Sequence, residues 1–285
     1  MKICYILATI ICCRFIAMAE APITLVIHGG AGVSPKDLTP DKEKACRATL
    51  EESLRAGYKL LQAGGSSADA VQTAIMVLED SPFFNAGRGA VLTSAGTVEM
   101  DASIMEGATG KAGAVATVQG VKNPIRLARL VMEKTPHVFL TGHGAEEFAR
   151  EQKLDFEPPE YFITPEQVEK LEKAKKKAAQ TSALKSDDDF SLRIGTVGAV
   201  ALDRAGHLTA GTSTGGLTNK RPGRAGDSPV IGAGTYAEDG VCAVSCTGHG
   251  EFFIRAVVAH EIASLVKYRG LSATEAARQV IHEKL

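Results

Sequence analysis

The chain has 285 residues, 45% hydrophobic and 23% charged, enough apolar content to bury a sizeable core as one large domain or two small ones. Its formal net charge is −1 and no long basic stripe runs along it. Those features exclude the electrostatic footprint of a nucleic-acid binder and point to a small substrate.

In residues 1–19, Lys2 precedes an apolar run from Ile3 to Cys13, and Ala17-Met18-Ala19 gives an A-x-A pattern. That reads as an export signal cleaved before Glu20, although Arg14 interrupts the apolar stretch. A start codon set too far upstream is the alternative. No later stretch reaches the ~18–20 apolar residues of a membrane span. Past the leader only Cys46, Cys242 and Cys246 remain, without C-x-x-C spacing, so neither a disulfide framework nor a zinc site is expected. Export without disulfides suits a periplasm.

Ile23 to Ile27 reads as a strand that runs into the His28-Gly29-Gly30-Ala31-Gly32 turn. Thr39-Pro40 opens a helix to about Gln62, and Ser67 caps a second helix that ends at Asp80-Ser81-Pro82. Extended segments follow from Gly89 to Met105 around a Ser94-Ala95-Gly96 turn, then a strand over Ala114–Val118. Asn123-Pro124 opens a helix to Lys134; a short strand at His137–Leu140 and a helix over about Gly144–Arg150 come next. The segment 157–193, with Pro158-Pro159, a lysine-dense stretch and Asp187-Asp188-Asp189, reads as a solvated, mobile linker. Order resumes at Gly195, with strands over Thr196–Leu202, His207–Ser213, Pro229–Tyr236 and Val241–Cys246. Helices over about Glu251–Tyr268 and Ser272–Lys284 close the chain. Strands inside and helices outside, in both halves, imply two sheets face to face with helices on both outer faces.

Four features carry chemistry. Thr196 stands directly after a glycine, where the linker meets an apolar strand. It is either an ordinary β-branched strand residue or a nucleophile that uses its own α-amine as base once the chain is cut before it. Such an amine has a pKa of about 7.7–8, suited to proton exchange near neutrality. Thr212-Ser213-Thr214-Gly215-Gly216 offers hydroxyls and amides at a strand end, for a turn or for an anion. Arg224 and Asp227 are a surface ion pair, or together read the carboxylate and ammonium of an amino acid. Cys246-Thr247-Gly248-His249-Gly250-Glu251 places amides near a helix start, where negative charge is stabilised; it lacks the spacing of a phosphate loop.

Taken together, IHGGAG at 27–32, FNAGRGAV at 84–91, MDASIM at 100–105 and GTVGAVALD at 195–203 make a specific set. TSTGG at 212–216, RPGRAGDSP at 221–229 and CTGHGE at 246–251 complete it. In order and spacing the chain resembles the plant-type L-asparaginase/isoaspartyl peptidase family of N-terminal-nucleophile (Ntn) hydrolases over nearly all of residues 22–285. The resemblance implies an α+β fold, a four-layer αββα sandwich with two central sheets. It implies self-cleavage at Gly195–Thr196 into an α piece (20–195) and a β piece (196–285). Thr196 would be the nucleophile and Thr214 would position it, with Asn85 close by. Thr247 and the Gly248 amide would form the oxyanion hole. Arg224 would hold the substrate α-carboxylate and Asp227 its α-amine. No organic cofactor is implied. A structural sodium is implied, bound by backbone carbonyls of the loop from Leu78 through Glu79, Ser81, Phe84 and Ala86 to Arg88. Dimers of αβ units are the implied assembly. Family members run several tens of residues further, so the resemblance implies a β piece that stops short. Glycosylasparaginase, or an uncut non-catalytic homologue, is the alternative function.

Overall fold

The computed structural model describes residues 22–31, 38–180 and 195–285. Strand β1 (Thr24–His28) is followed by helix α1 (Pro40–Gln62), capped by the Thr39 hydroxyl, which accepts from the Lys42 amide with Pro40 in the first turn. Helix α2 (Ser67–Glu79) takes its cap from Ser66 and not Ser67: the Ser66 hydroxyl accepts from the Asp69 amide, while Ser67 is buried against Thr209 and Asp203. Two adjacent serines are indistinguishable to a local capping rule; packing chooses between them. The Ser94–Gly96 turn forms, but its arms make an isolated bridge, Leu92 to Val98, in place of a hairpin.

Strands β2 (Met100–Glu106) and β3 (Ala112–Val118) lead to α3 (Pro124–Lys134), β4 (Phe139–Thr141) and α4 (Gly142–Glu151). The reading of 157–193 as a solvated linker is corrected over its first part. Helices α5 (Pro159–Phe162) and α6 (Pro165–Gln180) pack on the domain, burying Phe162 and Leu171. Gln167 donates to the Gly89 carbonyl at 3.0 Å, and Lys42 reaches Glu166 at 2.6 Å. Five lysines on α6 outnumber its two buried residues, Gln167 and Leu171, so composition hid the packing. Residues 181–194 lie outside the described part.

Strands β5 (Val197–Leu202) and β6 (Leu208–Thr214) follow. The expected strand over Pro229–Tyr236 shrinks to β7 (Thr235–Glu238), because 227–234 is folded into tight turns, and β8 spans Cys242–Ser245. The helix expected from Glu251 to Tyr268 is broken into α7 (Gly250–Ala256) and α8 (Val258–Arg269) at Val257, whose φ of 49° ends one helix and begins the next. Helix α9 (Ala273–Gln279) opens with a capping box from Ser272 and Glu275 and continues as a π-helical turn, Val280–Lys284.

The fold is mixed α and β. A six-stranded sheet runs in the order β1-β5-β6-β2-β3-β4, antiparallel except for β3-β4, and a two-stranded sheet is formed by β7-β8. Helices α2 and α3 lie on the large sheet through Val71, Ala74, Ile75, Ile125 and Ala128, all fully buried. Strands β7 and β8 pack near β6, β2 and β5, and α8 packs on β7-β8. No described helix is long and apolar enough to cross a membrane.

Because Phe162 is 1% exposed within the main core, Phe162→Ala is expected to cost about 3 kcal/mol. Urea unfolding measures it; a change under about 0.5 kcal/mol, the range of surface substitutions, would show that α5 does not pack.

Candidate active site

Thr196 immediately precedes β5, a strand hydrogen-bonded on both edges, to β1 and to β6. Val197 is paired with Ser213 of β6 and Gly198 with both neighbours, which leaves the residue before them little freedom, and Thr196 is only 6% exposed. Gly195 is wedged before it: a Cβ there would stand 2.2 Å from the Ala31 amide nitrogen and 2.5 Å from the Thr247 hydroxyl. Only a residue with no side chain passes this point. The Gly195 carbonyl in turn crowds Gly30, whose φ of +104° is glycine's province.

The Thr196 hydroxyl meets the Ser228 hydroxyl at 3.2 Å. Thr214, at the end of β6, uses its oxygen to accept from the Gly216 amide at 3.0 Å. Asn85 is fully buried in the loop after α2. Its side chain donates to the Gly216 carbonyl at 2.8 Å and accepts from the Val91 amide at 2.9 Å, so it shapes the glycine turn that borders the same pocket as Thr196. The Thr247 hydroxyl accepts from the Ala31 amide at 3.0 Å, and a Cβ on Gly248 would strike the Phe253 ring at 2.7 Å.

Arg224 presents its fork to Glu251, Nε to Oε1 and Nη2 to Oε2, each at 3.0 Å. Its Nη1 atom faces Gly216 and Gly226, where added Cβ atoms would lie 3.1 and 3.0 Å away. Those glycines keep one edge of the guanidinium open. Asp227 is 3% exposed and its Oδ2 has no hydrogen-bond partner, an acceptor buried beside a cavity. Burial pushes its carboxyl up to about 6, and the nearby Arg224 charge offsets only part of the rise.

One pocket therefore gathers Gly195, Thr196, Thr214, Arg224, Asp227 and Gly248, with Ser228 on its wall. Thr247 and Asn85 stand behind that lining, each bonded to residues that border it. Sequence reasoning assigned no role to Ser228 or Glu251. Both sit inside the RPGRAGDSP and CTGHGE motifs, so the signal was adjacency to singled-out neighbours.

In the loop from Leu78 to Arg88, carbonyls turn inward onto glycines. A Cβ on Gly87 would stand 2.2 Å from the Glu79 carbonyl oxygen, and one on Gly89 would stand 2.1 Å from that of Phe84. The Leu78, Phe84 and Ala86 carbonyls each also accept a backbone amide, from Ser81, Ala86 and Gly89. Neutral carbonyl oxygens are the ligand type that a hard cation takes.

The family model described as Asparaginase matches residues 21–285. The isoaspartyl peptidase of Salmonella typhimurium is 49% identical over 265 residues, which cover 92% of this chain and 84% of that protein. A probable isoaspartyl peptidase/L-asparaginase 2 of Arabidopsis thaliana is 44% identical over 280 residues, covering 92% and 86%. The isoaspartyl peptidase/L-asparaginase of Mus musculus is 46% identical over 263 residues, covering 92% and 78%.

The raised carboxyl of Asp227 has a signed consequence. Between its unfolded value near 3.8 and its folded value near 6 the native state holds more protons, so its contribution to stability falls as pH rises through that window. Urea unfolding at pH 4, 5 and 6 is expected to show stability changing less favourably with rising pH in the parent than in Asp227→Asn, the difference being the Asp227 contribution. Equal slopes in both proteins would contradict the assignment.

Proposed function

The chain belongs to the asparaginase family and is a hydrolase with β-aspartyl peptidase and L-asparaginase activity; we propose that Thr196 is its nucleophile, released by cleavage of Gly195–Thr196. The observation that carries this assignment is the convergence on one pocket of Gly195, Thr196, Thr214, Arg224, Asp227 and Gly248, which come from separated parts of the chain. We also read the two sheets and their covering helices as the four-layer αββα sandwich of Ntn hydrolases. The cut separates an α piece of residues 20–195 from a β piece of 196–285.

Once the bond before Thr196 is broken, its α-amine takes the hydroxyl proton and the oxygen attacks the side-chain amide carbon of L-asparagine or of a β-aspartyl peptide. The carbonyl oxygen gathers negative charge, which the Thr247 hydroxyl and the Gly248 amide stabilise. The α-amine returns its proton to the departing nitrogen, the C–N bond breaks, and ammonia or an amino acid leaves. Water, deprotonated by the same amine, hydrolyses the ester to release L-aspartate. Arg224 holds the substrate α-carboxylate on the guanidinium edge that Gly216 and Gly226 leave open. Asp227 offers its unpartnered oxygen to the α-ammonium.

A sodium ion fits the loop carbonyls of Leu78, Glu79, Ser81, Phe84, Ala86 and Arg88, where it would stiffen the loop bearing Asn85; the reaction takes no step through it. No organic cofactor is needed for this chemistry. A dimer of αβ units is the proposed assembly. Export rests on residues 1–19, which lie outside the described part.

Denaturing electrophoresis and mass spectrometry test the reading together. Two fragments are expected, the larger beginning at Glu20 and the smaller at Thr196. Thr196→Ala is expected to remain one band and to lose hydrolysis of L-asparagine and β-aspartyl dipeptides by at least about 10³-fold, the scale of losing a nucleophile. A Thr196→Ala protein that still cuts itself and turns over would overturn the nucleophile.

A further inference from the structure

We propose that Ser228 holds the Thr196 hydroxyl in its attacking position, making it a residue on which both self-cleavage and turnover depend. The proposal rests on Thr196 being the nucleophile and deepens that reading. The two hydroxyl oxygens lie 3.2 Å apart, and both residues are buried, at 6% and 1% exposure. Thr214 is turned toward the Gly216 amide, so among the described residues Ser228 is the one whose side chain is hydrogen-bonded to the Thr196 oxygen.

The serine is held from behind. The Ser103 hydroxyl, on β2, donates to the Ser228 carbonyl at 2.5 Å and reaches Thr235 on β7 at 2.8 Å. The Val230 amide closes a turn on the Asp227 carbonyl at 2.9 Å. Gly234 presses so close that a Cβ there would meet the Asp227 carbonyl at 2.4 Å and the Ser228 Cα at 2.9 Å. These contacts fix the backbone from which the Ser228 hydroxyl reaches Thr196 at 3.2 Å.

A hydroxyl is the group this place requires. In the uncut chain it can accept from the Thr196 O–H, and it donates to that oxygen once the hydrogen is turned toward the nitrogen that takes it. Ser228 thereby follows the charge on the attacking oxygen without taking the proton. In self-cleavage the Thr196 hydroxyl forms an ester with the Gly195 carbonyl carbon as the C–N bond breaks, the proton goes to the departing Thr196 nitrogen, and water then hydrolyses the ester. In turnover the proton passes to the free α-amine. Asp227, the preceding residue, meets the substrate ammonium, so one turn orients substrate and nucleophile together.

Ser228→Ala and Ser228→Cys test the proposal, with Thr196→Ala as the control. Ser228→Ala is expected to lower kcat about tenfold, the worth of one hydrogen bond, with KM changed less than about twofold and self-cleavage slowed by a similar factor. Ser228→Cys, of nearly the same size and with a weaker donor and acceptor, is expected to recover part of the loss. Parent rates in Ser228→Ala, alongside a dead Thr196→Ala, would overturn the role of Ser228 and leave the nucleophile standing. A raised KM with unchanged kcat would assign Ser228 to substrate binding and overturn the proposal. A fall in kcat that Ser228→Cys does not relieve would assign the loss to packing and overturn it as well. If Ser228→Ala does not fold, the comparison of parent with Ser228→Cys decides: an unchanged kcat overturns the proposal and a partial loss at constant KM supports it. An active Thr196→Ala would bring down the underlying reading instead.

Discussion

Strand β5 is paired on both edges, and Thr196 stands at its start. The residues that follow it are held by β6 from Val197 and by β1 from Gly198, so Thr196 enters the sheet on a fixed path. Gly195 enters this strand through a gap between Ala31 and Thr247 too narrow for a side chain. Thr196 thus stands where Gly195, Ala31 and Thr247 crowd together before the strand. That geometry suits the proposed cleavage, because the sheet supplies order that the reaction would otherwise have to create.

The small sheet meets the large one through an apolar cluster that includes Met105, Ala210 and Ala237, and through polar contacts. Ser103, Thr212 and Thr235 form a buried hydroxyl cluster between β2, β6 and β7, with Thr212 and Thr235 in very close contact. His28 on β1 meets Ser245 on β8 at 2.9 Å, and burial lowers its imidazole to about 4, which keeps the ring neutral. Glu79, at the end of α2, accepts from Ser213 on β6 at 2.6 Å and from the Ile125 amide at 3.0 Å, and burial pushes its carboxyl up to about 8. Polar bonds are directional where apolar contacts are not, so these pairs fix the register between layers. The residues so fixed, Ser213 and Thr235, flank the site.

Charge is balanced beneath the pocket. Lys220 is 5% exposed and its ammonium donates to the Glu99 carbonyl at 2.9 Å. Burial lowers its pKa while the charges of Asp101 and Glu99 raise it in compensation. Asp101, fully buried, is pushed up by burial and drawn back by Lys220. The Glu99 side chain also accepts from the Gly223 amide at 2.7 Å, so this cluster supports the loop that carries Arg224 and Asp227. An isolated charge would be prohibitive in such a place; a set of opposed ones is tolerable.

The sequence by itself determined the type and order of nearly every element, because caps, helical periodicity and glycine turns are local properties. It also determined which motifs matter, since the residues at 196, 214, 224, 227 and 248 were singled out there and line one pocket. Tertiary structure alone decided how they are used. That Ser228 meets Thr196, that Glu251 takes one edge of Arg224, and that residues 159–180 pack instead of floating all depend on partners 27 or more residues away. Local patterns carry no record of such partners. They follow from strand order, in which β5 inserts between β1 and β6, and from the buried pairs that set one sheet upon the other.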